Sequence, residues 1–224
     1  MKGTITIPEN LNEISIKQYQ HFLKIAKGID GSFLDQRTVE TFCSVELSKV
    51  LLMKRKDVRD ITNHINNLFN QKPEVSITFK IKDVKFGMIP DLENISMGEY
   101  TDLTKYLESW ETMHKAMAVL FRPITTEVNG KYLIEDYKGS DAYSELMKFA
   151  PVGVAMGAMV FFYRLTNDLL NAIRQSLGVE ITQEILQSLE PLPKNGVGIN
   201  HSMHSLKEML EDLMRYLPQE LIPV

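Results

Sequence analysis

The stretch Val75-Ser-Ile-Thr-Phe-Lys-Ile-Lys-Asp-Val-Lys-Phe-Gly-Met88 decides the fold class. Apolar residues alternate through it, first Ile77, Phe79 and Ile81, then Val84, Phe86 and Met88, with Thr78, Lys80 and Lys85 on the other face. A period of two marks a strand, because successive side chains of extended backbone point to opposite faces. Lys82-Asp83 separates the two runs, so the spacing predicts a hairpin over 75–88 with one wet face. A second hairpin is expected over 124–137, where Asn129-Gly130 supplies the positive dihedrals of a tight primed turn.

Outward from these hairpins the period lengthens to that of helices. Ile16, Tyr19, Leu23 and Ala26 share a face behind Ser15-Ile-Lys-Gln18, a capping box whose two side chains satisfy free backbone donors. Val39, Phe42, Leu47 and Val50 repeat the spacing, as do Val58, Ile61, Ile65 and Leu68. Between the hairpins a second box, Ser96-Met-Gly-Glu99, opens a helix carrying Tyr100, Leu103 and Leu107. A further helix carries Trp110, Met113, Met117 and Leu120 and is expected to stop at Pro123. Past Gly139 a helix through Met147 precedes a long apolar one from about Pro151 to Leu177, with Gly178 as its stop signal. The fold class is therefore α+β, predominantly α-helical, with amphipathic helices packed on two β-hairpins.

The segment 190–200, with two prolines and two glycines, reads as a linker. It divides a single body, residues 1–189, from a C-terminal helical arm, residues 201–224. Met203, Leu206, Met209, Leu210, Leu213, Met214 and Leu217 give that arm a Met- and Leu-rich side. Methionine-rich amphipathic segments make adaptable partner surfaces, so these seven are the candidate partner-binding residues. Met113, Met117, Met156 and Met159 are instead expected in the core. An internal echo relates Ile7-Pro-Glu-Asn-Leu-Asn-Glu-Ile-Ser-Ile-Lys-Gln-Tyr19 to Ile89-Pro-Asp-Leu-Glu-Asn-Ile-Ser-Met-Gly-Glu-Tyr100. Both read as a strand end, a proline turn, an apolar plug (Leu11 or Leu92) and a boxed helix start. Convergence of capped helices on these residues explains the echo as well as duplication does; either way it concerns architecture.

Composition narrows the function classes. The chain has 224 residues, 44% hydrophobic and 24% charged, which describes a globular protein. One cysteine, Cys43, precludes an intramolecular disulfide framework and points to a reducing compartment. A net charge of −4 offers no cationic surplus for nucleic acid. The most apolar run, Phe149 to Tyr163, is shorter than the ~20 residues needed to span a bilayer, so no membrane association is expected. Its Gly153 and Gly157, in a G-x-x-x-G spacing, read as a tight helix crossing in the core. The N-terminus lacks the pattern of a signal peptide.

No chemical motif emerges. G-x-x-x-x-G-K-[ST], G-x-G-x-x-G and G-x-S-x-G are all missing from the sequence. His201 and His204 share a helical face without further ligands, and His21, His64 and His114 are expected at polar or boundary positions. Cys43 reads as a buried structural thiol. Among Asp91, Glu93, Glu99 and Asp102, Glu99 is accounted for by its cap. Lys54-Arg55-Lys56 with Arg59 is interleaved with Asp57 and Asp60 and reads as a solvated corner. The expectation is a non-enzymatic chain with no catalytic, cofactor-binding or metal-ligating residues. A site assembled from distant residues is the open alternative.

Phe86-Gly-Met-Ile-Pro-Asp-Leu-Glu-Asn-Ile-Ser-Met-Gly-Glu-Tyr100, Met113-His-Lys-Ala-Met-Ala-Val-Leu-Phe-Arg-Pro123, Gly130-Lys-Tyr-Leu-Ile-Glu-Asp-Tyr137 and Val160-Phe-Phe-Tyr163 follow one another over residues 75–175. This arrangement resembles small proteins encoded among the structural genes of tailed bacteriophages, of the tail-assembly chaperone or minor tail and neck kind. The resemblance implies a virion-assembly protein of the host cytoplasm, with phage structural or tape-measure proteins as partners and self-association as a second option. A chaperone would coat apolar stretches of the tape-measure protein. The alternatives are a permanent subunit of the virion (neck or connector, tail or baseplate), and, further off, an enzyme or a host-directed binding protein.

Overall fold

The computed structural model describes residues 4–92 and 95–162. It is a mixed α+β fold in which helices pack around one four-stranded antiparallel sheet of order β1-β2-β3-β4. The strands are β1 (Thr78–Ile81), β2 (Val84–Met88), β3 (Phe121–Val128) and β4 (Lys131–Ile134). Both expected hairpins form. Asn129 and Gly130 have φ of 52° and 77°, the left-handed geometry a primed turn needs, and Lys82 adopts φ 52° at the other turn.

The two hairpins are joined, which their separate sequence patterns did not indicate. Phe86 pairs with Pro123, Gly87 with Arg122 and Met88 with Phe121. This corrects the expected helix stop: α6 (Met113–Leu120) ends at Leu120 and the chain passes directly into β3 at Phe121. Pro123 lies inside the strand, where its carbonyl accepts from Glu135 N at 3.0 Å. A proline lacks only the donor, so the strand continues through it.

On the N-terminal side stand α1 (Ile16–Ala26), α2 (Gly31–Phe42), α3 (Leu47–Val50) and α4 (Arg55–Phe69). Val39, Phe42 and Val50 are buried as their spacing predicts, but they occupy two helices, because Ser44 takes φ 52° and breaks the run. Val58, Ile61, Ile65 and Leu68 bury the whole apolar stripe of α4. Between β2 and β3 lie α5 (Met97–Tyr106) and α6. Trp110 falls before α6 rather than on it, in a turn where Thr112 Oγ1 donates to the carbonyl of Tyr106 at 2.8 Å. The expected helix through Met147 is a 3₁₀ turn, Ser140–Ala142, followed by the single turn α7 (Ser144–Met147).

Both capping boxes of the echo form as read, Ser15 with Gln18 and Ser96 with Glu99. The preceding strand does not recur: β2 leads to the second copy, whereas residues 4–8 belong to no strand. There His64 Nε2 lies 2.9 Å from the Pro8 carbonyl oxygen. Sheet pairing needs a neighbouring strand, and the first copy has none.

Residues 152–160 are helical and buried throughout, with helix continuing to 162. Gly153 and Gly157 pack tightly, but not at a crossing of two long helices: Gly153 faces side chains of the 3₁₀ turn Leu11–Glu13 and Gly157 faces the irregular backbone at Glu74. A Cβ on Gly153 would meet Leu11 and Asn12; one on Gly157 would fall on the carbonyl oxygen of Glu74. Met113, Met117, Met156 and Met159 join the core with Trp110, Phe86 and Phe121. Among the described residues no helix is long and apolar enough to cross a membrane. The remainder of the expected helix to Leu177, the body boundary at 189, the linker 190–200 and the arm 201–224 lie outside the described residues.

Candidate functional site

A groove of about 1560 Å³ lies where segment 4–8 runs beside the α2–α3–α4 corner. The left-handed Ser44 turns the chain back after α2. Gln18 pins that corner to α1 by donating its amide to the carbonyl of Thr41 at 3.2 Å. Gln18 thereby serves both its own capping box and the wall of the groove.

Ile5, Phe42, Cys43, Val45 and Met53 give the groove an apolar floor. Glu13, Glu46, Lys49, Lys54 and Asp57 supply a rim carrying both signs of charge. At the lip, Leu52 is 88% exposed, and its neighbour Leu51 is 61% exposed. Two adjacent leucines that far into water form a small exposed apolar patch between α3 and α4. The Cys43 thiol is buried and pushed up to about 11 by that burial, so at neutral pH it is a protonated, apolar lining group. Lys54, Arg55, Lys56 and Arg59, read from sequence as a solvated corner, are exposed at the start of α4 beside the groove.

A second polar constellation lies where α5 meets the sheet. Glu99 Oε2 accepts from Ser96 N and Ser96 Oγ, both at 2.7 Å, and Arg122 Nη1 donates to Glu99 Oε1. Burial raises the affinity of Glu99 for a proton, but Arg122 and Ser96 outweigh it and hold the carboxyl below its usual range. Tyr137 donates to Asp102 Oδ2 at 2.5 Å, and the Arg122 guanidinium sits 5.6 Å from the centre of its ring. Burial and the bond to Asp102 push the Tyr137 phenol well above its ordinary value. An ionised carboxylate with its oxygens occupied and a phenol held protonated make this a fastener for α5. The sequence showed the cap but not Arg122. The strand position opposite Gly87 was its only signal, and that needed the β2–β3 pairing.

The histidines differ from one another. His21 and His64 are exposed, while His114 is buried, contrary to the boundary position expected for it. Gln20 Nε2 explains the difference: it lies 3.0 Å from His114 Nδ1 and 2.6 Å from the Trp110 carbonyl oxygen, so the ring is satisfied inside. Burial, followed by the charge of Lys148, lowers the His114 pKa. Among the described residues no group of three or more His, Cys, Asp or Glu could hold a metal. The carboxylates near α5 are not brought together as ligands; Glu99 and Asp102 face different partners, and Glu93 lies outside the described residues. His201, His204 and the partner-binding candidates Met203, Leu206, Met209, Leu210, Leu213, Met214 and Leu217 also lie outside them. The structure brings forward instead the groove residues Ile5, Val45, Leu52 and Met53, whose sequence signal was the apolar Leu51-Leu52-Met53 ahead of the basic run. No family model, no curated protein and no solved structure matches the chain.

Proposed function

We propose that the chain is a non-enzymatic bacteriophage assembly protein, a tail-assembly chaperone that works by protein–protein contact in the host cytoplasm. The observation that carries this reading is the groove. Its volume exceeds the roughly 300–1,000 Å³ of small-molecule pockets, and its apolar floor with a rim of both charges suits an amphipathic segment of another protein. The exposed Leu51 and Leu52 extend the apolar surface beyond the floor. The tape-measure protein is the partner suggested by the likeness to phage tail genes.

A second reading, a permanent neck, tail or baseplate subunit, is favoured by a different feature. At the end of the β3–β4 hairpin Val128 and Leu133 are 60% and 65% exposed, which suits a neighbouring subunit in a ring. Fractionation of infected cells separates the two readings. The chaperone is expected to copurify with tape-measure segments before tails mature and to be missing from finished particles. Fixed stoichiometry in purified virions would overturn the chaperone reading and leave the subunit.

A further inference from the structure

We infer that β4 is a dimerisation strand: its outer edge pairs with β4 of a second copy of the chain, antiparallel, about a two-fold axis at Leu133. The inference goes beyond both functional readings and does not rest on the groove. β4 is an outer strand of the sheet, with β3 on one side and, among the described residues, no strand on the other. Such an edge presents a row of backbone donors and acceptors that templates a further strand. Glu135 N donates inward, to the Pro123 carbonyl at 3.0 Å. Alternation along the strand therefore aims the N–H and C=O of Tyr132 and Ile134 outward. The opposite edge, β1, is blunted. Met88 N takes the Ile77 carbonyl, so the Thr78 carbonyl points outward, and there Ser76 Oγ already donates to it at 2.7 Å.

The side chains select one register. Lys131, Leu133 and Glu135 alternate with the outward-bonding residues and share a face. Leu133 is 65% exposed and Lys131 is exposed; the Tyr143 hydroxyl donates to Glu135 Oε2 at 2.6 Å and leaves Oε1 for a further donor. With Leu133 on the axis, the two leucines meet at a close, non-hydrogen-bonded position, and each Lys131 stands directly opposite Glu135 of the other copy. Tyr132 of each copy then exchanges both backbone hydrogen bonds with Ile134 of the other. Neighbouring registers fail. Lys131 or Glu135 on the axis opposes like charges, and Tyr132 or Ile134 on it sets Leu133 against a charged residue. Val128, 60% exposed and paired with Lys131 across the hairpin, lengthens the apolar strip. The contact is isologous and closed: it joins two four-stranded sheets into one, and a ring would need a further surface.

Sedimentation velocity of the full chain over a concentration series tests this. The wild-type chain is expected to dimerise. Lys131→Glu, a change at an exposed side chain, opposes carboxylates on both sides of the axis and should raise the dissociation constant about tenfold. Glu135→Lys should do the same, and combining the two changes should restore the dimer, a rescue that a folding defect would not give. A cross-link fixes the register. Cys43 is the only cysteine, so in a Cys43→Ala background Leu133→Cys should yield a disulfide-linked dimer on mild oxidation. Lys131→Cys should not, because its copies lie several residues apart across the axis. A wild-type chain that stays monomeric at every concentration would overturn the inference. So would a dimer indifferent to Lys131→Glu, a folded double variant that fails to reassociate, or equal cross-linking through positions 131 and 133.

Discussion

At the scale of single residues, the ion pair of Glu99 and Arg122 carries the clearest energetic consequence. Both side chains are buried, so removing one partner leaves an uncompensated charge in a medium that solvates it poorly. Arg122→Met is expected to cost about 3–5 kcal/mol in denaturant unfolding at neutral pH. The pair also predicts a pH dependence. The folded pKa of Glu99 is depressed, so its contribution is complete above the unfolded value of about 4.3 and is lost as pH falls through the folded one. Glu99→Gln should therefore destabilise the protein near neutrality and flatten its loss of stability in acid; an unchanged acid slope would count against the assignment. Gly157 makes a second prediction at this scale. A Cβ there would fall on the Glu74 carbonyl oxygen, which is backbone and cannot swing away. Gly157→Ala should cost about 1–3 kcal/mol, measured by thermal unfolding.

Elements differ in how far their sequences announce them. The capping boxes at Ser15 and Ser96 were legible because a helix start is decided within four residues. Their energetic weights were not, since Glu99 reaches Arg122 whereas Gln18 reaches only the Thr41 carbonyl and Ser44. Ser15→Ala should accordingly cost about 1 kcal/mol, the usual loss of a cap. Ser96→Ala should cost more, because it removes a hydrogen bond that helps to keep a buried carboxylate ionised. Unfolding of the two variants side by side checks the order. The hairpin turns were equally local and were read correctly. Their fusion into one sheet was not, because the β2–β3 pairing spans two intervening helices and leaves no periodic trace. For the same reason Trp110 looked helical and His114 looked like a boundary residue: spacing reveals a face, but not the turn or amide that covers it.

For the molecule as a whole, the groove arises where segment 4–8, the broken α2–α3 run and the start of α4 converge. No single stretch encodes it, which is why the sequence pointed to the arm instead. Leu52 provides the test at this scale. As an exposed residue in a turn, Leu52→Asp should change folding stability by no more than about 0.5 kcal/mol. On the chaperone function proposed above, capture of a tape-measure segment should nevertheless fall several-fold, by roughly 1 kcal/mol or more of binding free energy. Equal losses of binding and stability would mean that Leu52 is a structural residue.

The short antiparallel bridge between Ser15 and Pro151 bears on when this protein can exist. Ile16 N donates to Ala150 O at 3.0 Å and Val152 N to Ile14 O at 2.7 Å, so the first long helix is anchored by residues made far later. At about 5–20 residues per second, a ribosome needs on the order of ten seconds to synthesise the intervening chain. Until then α1 is without its anchor, and the close seat of Gly157 on Glu74 cannot form. Completion of this body therefore waits on synthesis of residues 150–157, and a nascent chain stalled before Val152 should remain a target for cellular folding machinery.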